Sequence, residues 1–206
     1  DPEQVIKPML STNDTLIEAA LRYRFANDAL AAQTATQLLA DGFGLQDGAT
    51  LFDTITSALT AAHAFEMLRD TYPNPEQWLQ QFDDFTASLL QADAENRTVD
   101  HFWLLTLKIV SAIVLDDETR FTEGIATYKQ IIDTQIHPEG FFKPLSQVAE
   151  DKASAFRDMV LACAALTLAA EAATHAGSHL WQYENRDVGL NTSVTYLVYY
   201  YFYPDK

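Results

Sequence analysis

The sequence predicts an all-α protein, and three observations carry that expectation. Apolar residues recur at helical spacing along most of the 206 residues, alternating β-branched runs are scarce before the C-terminus, and the helical stretches follow one another closely. Connections that short favour consecutive antiparallel helix pairs. No low-complexity linker and no exact internal repeat interrupts the chain, so residues 1–206 read as a single domain.

The elements follow in order. "TLIE" at Thr15 to Glu18 has the form of a capping box, with Leu16, Ala19, Ala20 and Tyr23 on one face behind it, so a helix is expected to start there and break near Asn27-Asp28. A second, "ALAAQTATQLLA", should end at Gly42 and Gly44, where glycine takes the left-handed cap conformation. "ATLFDTITSALTAAHAFEMLRD" carries Leu51, Ile55, Leu59, Ala62, Phe65 and Leu68 at steps of three or four, and stops before "YPNP". Asn74-Pro75 is a start signal, because Asn caps and Pro is pre-set for the first helical position; that helix should run to about Leu90.

A helix beginning at Thr98 is apolar nearly all round, as one buried on several sides must be. "DDETRFTEGIATYKQIIDTQI" is amphipathic and closes at "HPEG", and the second half of "FFKPLSQVAEDKASAFRDMVLACAALTLAAEAATHAG" is an Ala-rich helix suited to close packing. "TSVTYLVYYYFYPDK" mixes β-branched and aromatic residues, so helix and strand both stay open there.

With 48% hydrophobic residues the chain has ample material for a core. Its formal charge of -16, from 29 acidic and 13 basic residues, repels nucleic acid and anionic membranes and excludes nucleic-acid binding as a leading function. The longest apolar runs are interrupted by Lys108 or stop before Glu171, so no membrane span is expected. "DPEQVIKPML" lacks the basic start, apolar centre and cleavage site of a signal peptide, and is compatible with a mature N-terminus from which one was removed. The one cysteine, Cys163, reads as a small buried hydrophobe. Acceptor tripeptides at Asn13, Asn96 and Asn191 point to a secreted, glycosylated protein.

The order of segments resembles the alginate-lyase-like family of polysaccharide lyases over most of the chain. "ALAAQTATQLLADGF" is similar to an early helix of that family, "GATLFDTITSALTAAHAFEMLRD" to its Gly-rich turn and following helix, and "HLWQYENRDVGLNTSVTYLVYY" to its late Leu-Trp-x-Tyr, Asp-Gly-Arg, helix sequence. The resemblance implies an incomplete α/α toroid of antiparallel helix pairs. It also implies β-elimination at a 4-linked uronic acid: the C6 carboxylate is neutralised, a base takes the C5 proton, and an acid protonates the departing O4.

On the residues themselves the likeness is altered. "VDHFW" stands where the family carries Asn-Asn-His, so His101 matches the histidine, Asp100 replaces the amide before it and Val99 the other. In "EDKASAFRDMVLA", Lys152 falls near the family's arginine, Phe156 stands where the catalytic tyrosine is expected, and Arg157 occupies the histidine position. Ile55 follows Asp53-Thr54 where the family has an arginine. An aspartate donates no hydrogen bond unless protonated, and a phenylalanine transfers no proton.

The resemblance therefore nominates His101 for proton transfer, Lys152 and Arg157 as carboxylate partners, and Trp103 with Asp100 as substrate-binding residues. Beside these stand plainer roles: a helix-end position for His101, where the dipole keeps an imidazole neutral while Asp100 opposes it; core packing for Trp103; and a surface pair of Arg157 with Asp158 or Glu150. His63 on its apolar helix reads as a core histidine, and His175 with His179 lacks a third ligand. No phosphate loop, Gly-x-Gly-x-x-Gly, nucleophile elbow or paired-Cys motif occurs, so no cofactor and no metal are expected. The functional expectation is a secreted protein that binds or cleaves a polysaccharide or oligosaccharide, or alternatively an inactive glycan-binding or structural protein on the same scaffold. The oligomeric state stays open.

Overall fold

The computed structural model describes residues 11–42, 48–92 and 98–203, and over these the protein is almost entirely helical. The chain divides into two compact units, Asp1–Trp78 and Leu79–Lys206.

The first unit contains α1 (Thr12–Ala26), α2 (Ala29–Ala40) and α3 (Leu51–Leu68). α1 starts one turn earlier than the Thr15 capping box predicts. Ser11 and Asp14 form the box instead, with the Asp14 amide donating to Ser11 Oγ at 3.1 Å and the Ser11 amide to Asp14 Oδ2 at 3.2 Å. The expected break falls at Asn27, left-handed at φ 53°, and Asp28 caps α2 by accepting from the Leu30 and Ala31 amides. Gly42 has φ 112°, as its cap role requires; Gly44 lies outside the described residues. Thr50 and Asp53 cap α3 reciprocally. The core joins Leu16, Ala20, Ala35, Ile55 and Phe65, and Phe65 stacks on Trp78 with centroids 4.0 Å apart.

α4 (Pro75–Leu90) begins at the predicted proline and leads into the second unit. There follow α5 (Val99–Leu115), α6 (Glu118–Gln135), the short α7 (Lys143–Val148), α8 (Lys152–His175), a 3-10 turn at Leu180–Gln182, a hairpin of β1 (Glu184–Asn185) and β2 (Val188–Gly189), and α9 (Leu190–Phe202). The C-terminal segment is thus a helix. Leu190, Ser193 and Leu197 are its buried stripe, and the Gly189 amide donates to Thr192 Oγ1 at 3.0 Å across its first turn. The antiparallel hairpin was not foreseen, since Arg186 and Asp187 at its tip adopt φ of 55° and 60° without glycine.

α5 and α8 form the centre of this unit. Ala162, Ala165, Ala169 and Ala173 keep α8 thin, so α5 approaches closely, and the buried Thr106 hydroxyl lies within hydrogen-bond distance of the Phe102 carbonyl of its own helix (3.1 Å) and the Ala165 carbonyl of α8 (2.8 Å). α8 is also, among the described residues, the one helix long and apolar enough to cross a membrane by length and composition. Its buried stripe belongs to the core cluster shared with α5, α6 and α9. α6 lies against α5 at Gly124, where an added Cβ would come within 2.7 Å of Ile109 Cγ1. Arg120 joins α6 to α4 through Asp83 at 2.6 Å, and bonds Asp117 of its own N-cap at 3.4 Å.

Candidate active site

His101 is the third residue of α5, one turn from the N-cap residue Thr98. The side chain is half-buried because its neighbour Phe102 is wholly buried and meets Phe142 edge-on at 5.1 Å, which draws the first turn of α5 down onto the segment after α6. That segment reverses tightly: Ile136 and Phe142 pair as a β-bridge, the His137 amide donates to the Phe141 carbonyl at 2.8 Å, and Gly140, at φ 108°, makes the turn. The reversal leaves Gln135, the last residue of α6, facing His101, with Gln135 Nε2 and His101 Nε2 3.5 Å apart.

Burial holds the His101 imidazole below its ordinary 6.5, so near neutral pH it is uncharged and a ring nitrogen keeps its lone pair. Burial also pushes the Asp100 carboxyl up from its ordinary value. The two shifts have one cause and opposite signs, because burial disfavours whichever form is charged.

The other nominated residues are placed as follows. Trp103 is half-buried and packs against the core cluster, one residue beyond Phe102. Lys152 is exposed at the first position of α8, and Arg157 is exposed and paired with the adjacent Asp158 at 3.0 Å, as one sequence alternative had it. Among the described residues no hydrogen bond or ion pair joins His101 to either cation. Phe156 is partly buried against the core. Neither Tyr128 nor Tyr183 hydrogen-bonds His101 among the described residues. Tyr128 is wholly buried, with its phenol pushed above the ordinary value by burial and by the nearby Cys163, while the Tyr183 hydroxyl donates to Asp133 at 3.0 Å with the Lys129 ammonium 5.2 Å from its ring.

Of the sequons, Asn191 is exposed in the first turn of α9, Asn13 donates from Nδ2 to Ser57 Oγ at 2.8 Å, and Asn96 lies outside the described residues. In the first unit an open depression of about 470 Å³ is lined by Arg24, His63, Glu66, Met67, Arg69 and Asp70; burial lowers His63 there, while the Glu66 charge opposes it. None of the nominated residues lines that depression.

Sequence reasoning nominates His101 but not Gln135, the residue the structure places beside it. The two stand 34 positions apart, and only the docking of Phe102 on Phe142 brings them together. The arrangement offers an uncharged imidazole beside an amide, between the N-terminus of one helix and the C-terminus of another, and such an imidazole can accept a proton.

Comparison with known proteins bears on the family and the fold. The family model for alginate lyase matches residues 20–206. A search of curated protein sequences finds no match. Among solved structures, a His-to-Ala variant of alginate lyase A1-III complexed with a tetrasaccharide superposes with a TM-score of 0.80 at 17% identity, covering 94% of this chain and 60% of that one. A Tyr-to-Phe variant of the same enzyme, also complexed with a tetrasaccharide, gives 0.79 at 17% identity over 99% and 64% of the two chains. Alginate lyase A1-III from Sphingomonas species A1 gives 0.76 at 18%, over 94% and 58%. The chain thus spans roughly three-fifths of the length of the structures it matches. At such identities the likeness shows the fold, the all-α, incomplete α/α toroid of antiparallel helix pairs that the sequence resemblance implied. With the family model matching residues 20–206, the chain belongs to the alginate lyase family.

Proposed function

We propose that this protein cleaves a uronate-containing polysaccharide by β-elimination, with His101 as the proton-transfer residue. The observation that carries the reading is the state of His101: a half-buried imidazole held uncharged by its surroundings, at the helix position where the family resemblance puts a histidine. In the reaction the imidazole takes the C5 proton, the electron pair forms the C4–C5 double bond, the C4–O4 bond breaks, and O4 takes up a proton. Because Phe156 stands where a tyrosine was expected, the proton returns to O4 from His101 itself, which requires the C5 hydrogen and O4 on the same face of the sugar. Lys152 and Arg157, at the exposed start of α8, are the candidate cations for the C6 carboxylate, Arg157 after parting from Asp158. The upward shift of Asp100 is in the direction a hydrogen-bond donor to that carboxylate needs, and Trp103 beside it is the candidate sugar contact.

We place the protein outside the cell, as a glycoprotein, on the sequence pattern of acceptor sites; of the described ones Asn191 is the more open to modification, because the Asn13 amide is engaged with Ser57. A second reading, a glycan-binding protein without activity, is favoured by Phe156 and by the Arg157–Asp158 pair. Absorbance in the ultraviolet band of the unsaturated product, on a panel of polyuronates, separates the two. A rise that His101→Ala abolishes establishes the lyase; a flat trace from folded protein on every substrate overturns it and leaves the binding reading.

A further inference from the structure

We propose that Gln135 is a positioning residue for His101: its amide engages ring nitrogen Nε2 and so leaves Nδ1 as the atom that exchanges the substrate proton. The inference rests on the proposed role of His101 and assigns that role to one atom.

Three observations lead to it. The Gln135 amide is the one side-chain group within hydrogen-bond distance of the His101 ring among the described residues, and it approaches Nε2. Its other terminus, Oε1, is buried with no hydrogen-bond partner among the described residues. No network therefore locks the amide in one orientation. A half-turn about its terminal torsion exchanges the two termini, so that Oε1 accepts from His101 Nε2–H. Finally, the amide sits at the C-terminus of α6, where unpaired carbonyls favour a positive neighbour, whereas the N-terminus of α5 opposes one.

A base that takes a proton on one ring nitrogen must carry a hydrogen on the other. In the uncharged ring with hydrogen on Nε2, and in the imidazolium formed on proton uptake, Nε2–H needs an acceptor, and Gln135 Oε1 supplies it in both. The bond strengthens as charge develops, because a charged donor makes a shorter, stronger hydrogen bond. Gln135 thus does for His101 what a third group does in a nucleophile–base–orienter arrangement: it fixes tautomer and ring plane. Burial is the cause of the downward His101 shift, so a carboxylate placed at position 135 would act against it, favouring the charged ring.

The test reads His101 in the full-length protein without substrate. Nitrogen-15 chemical shifts of the imidazole, followed across pH, are compared for wild type, Gln135→Met and Gln135→Glu. Wild type is expected in the Nε2–H form. Gln135→Met loses the preference and becomes a mixture, and Gln135→Glu raises the His101 midpoint by about one pH unit or more, as an opposite charge at that distance does. A wild-type ring in the Nδ1–H form, or a tautomer and midpoint unmoved in both variants, overturns the proposal. Should Gln135→Met fail to fold, Gln135→Glu, nearly identical in shape, carries the same test. On an active protein Gln135→Met is further expected to lower kcat by about 100-fold with little change in KM, the scale set by losing an oriented base. The nuclear shifts report on Gln135 even if no polyuronate is cleaved, so failure of the positioning role and failure of the lyase reading give different results.

Discussion

Replacing Gly140 by alanine tests how firmly the turn behind Gln135 is built into the second unit. At φ 108° an L side chain is strained, and the added Cβ would lie 2.5 Å from the Thr192 carbonyl oxygen and 2.6 Å from Tyr196 Cβ, where ordinary contact begins at 3.4 Å. Neither neighbour is the loose end of a side chain; both belong to the frame of α9. The conformational strain is worth about 1–2 kcal/mol. The overlap adds about 2–3 kcal/mol, at the upper end for a forced methyl because helix backbone has to move. The expected loss is about 3–5 kcal/mol, a fall in Tm of about 10 °C for a protein of this size. Gly177→Ala is the control. That glycine also has a left-handed φ, 86°, but nothing lies within 4 Å of its missing Cβ, so it should cost only the strain, about 1–2 kcal/mol. Urea unfolding of the two variants against wild type gives the comparison. A Gly140→Ala loss no larger than that of Gly177→Ala would refute the close docking of the turn on α9.

Two further outcomes are expected. Tyr128→Phe should leave Tm unchanged or raise it, by up to about 2 kcal/mol in unfolding free energy, because the hydroxyl is buried without a hydrogen-bond partner among the described residues and its removal ends an uncompensated desolvation; a loss above about 1 kcal/mol would reveal a partner such as a trapped water. Stability should also decline as pH falls from 7. His101 and His63 are both held below their ordinary 6.5 by burial, so below that value the unfolded chain binds protons that the folded protein refuses, and the loss continues down to the folded midpoints. His101→Gln and His63→Gln together should flatten Tm against pH in that window. Below about pH 4 a second decline follows from Asp28, Asp53 and Asp151, which hydrogen bonds from their own helix starts hold below 3.8, so protonating them removes stability as pH falls through their folded midpoints.

Much of this fold is legible in the sequence because its helix ends are written locally. Asp28, Thr50 with Asp53, and Pro75 each act within one turn of chain, and each marks a boundary the structure keeps. The start of α1 was misplaced because two capping candidates stand four residues apart, and Ser11 with Asp14 prevails over Thr15. The hairpin at residues 184–189 carries no Asn-Gly or Asp-Gly signal. Its left-handed Arg186 and Asp187 are sustained from outside, where the Arg186 guanidinium donates to the Asp133 carbonyl and Tyr183 bonds the Asp133 carboxylate. The candidate site divides in the same way. The place of His101 in a first helical turn and the pairing of Arg157 with Asp158 follow from adjacent residues; the meeting of His101 with Gln135 depends on how Phe102 and Phe142 dock, and no spacing announces it.

The Thr106 hydroxyl bears on how such a chain avoids misassembly. Ala162, Ala165, Ala169 and Ala173 make the buried stripe of α8 smooth, so apolar contact resists small slides along α5 only weakly. In the native alignment the one Thr106 proton has two carbonyl oxygens within reach, one on each helix, and the Ala165 carbonyl is the nearer at 2.8 Å. Sliding α8 by half a turn would carry that carbonyl away and leave the hydroxyl only the bond inside its own helix, and the next carbonyl of α8 comes within reach only near a full turn, about 5.4 Å along. The pair of helices therefore behaves less like two greased rods than like a ratchet that seats once per turn, and the tooth is one oxygen atom.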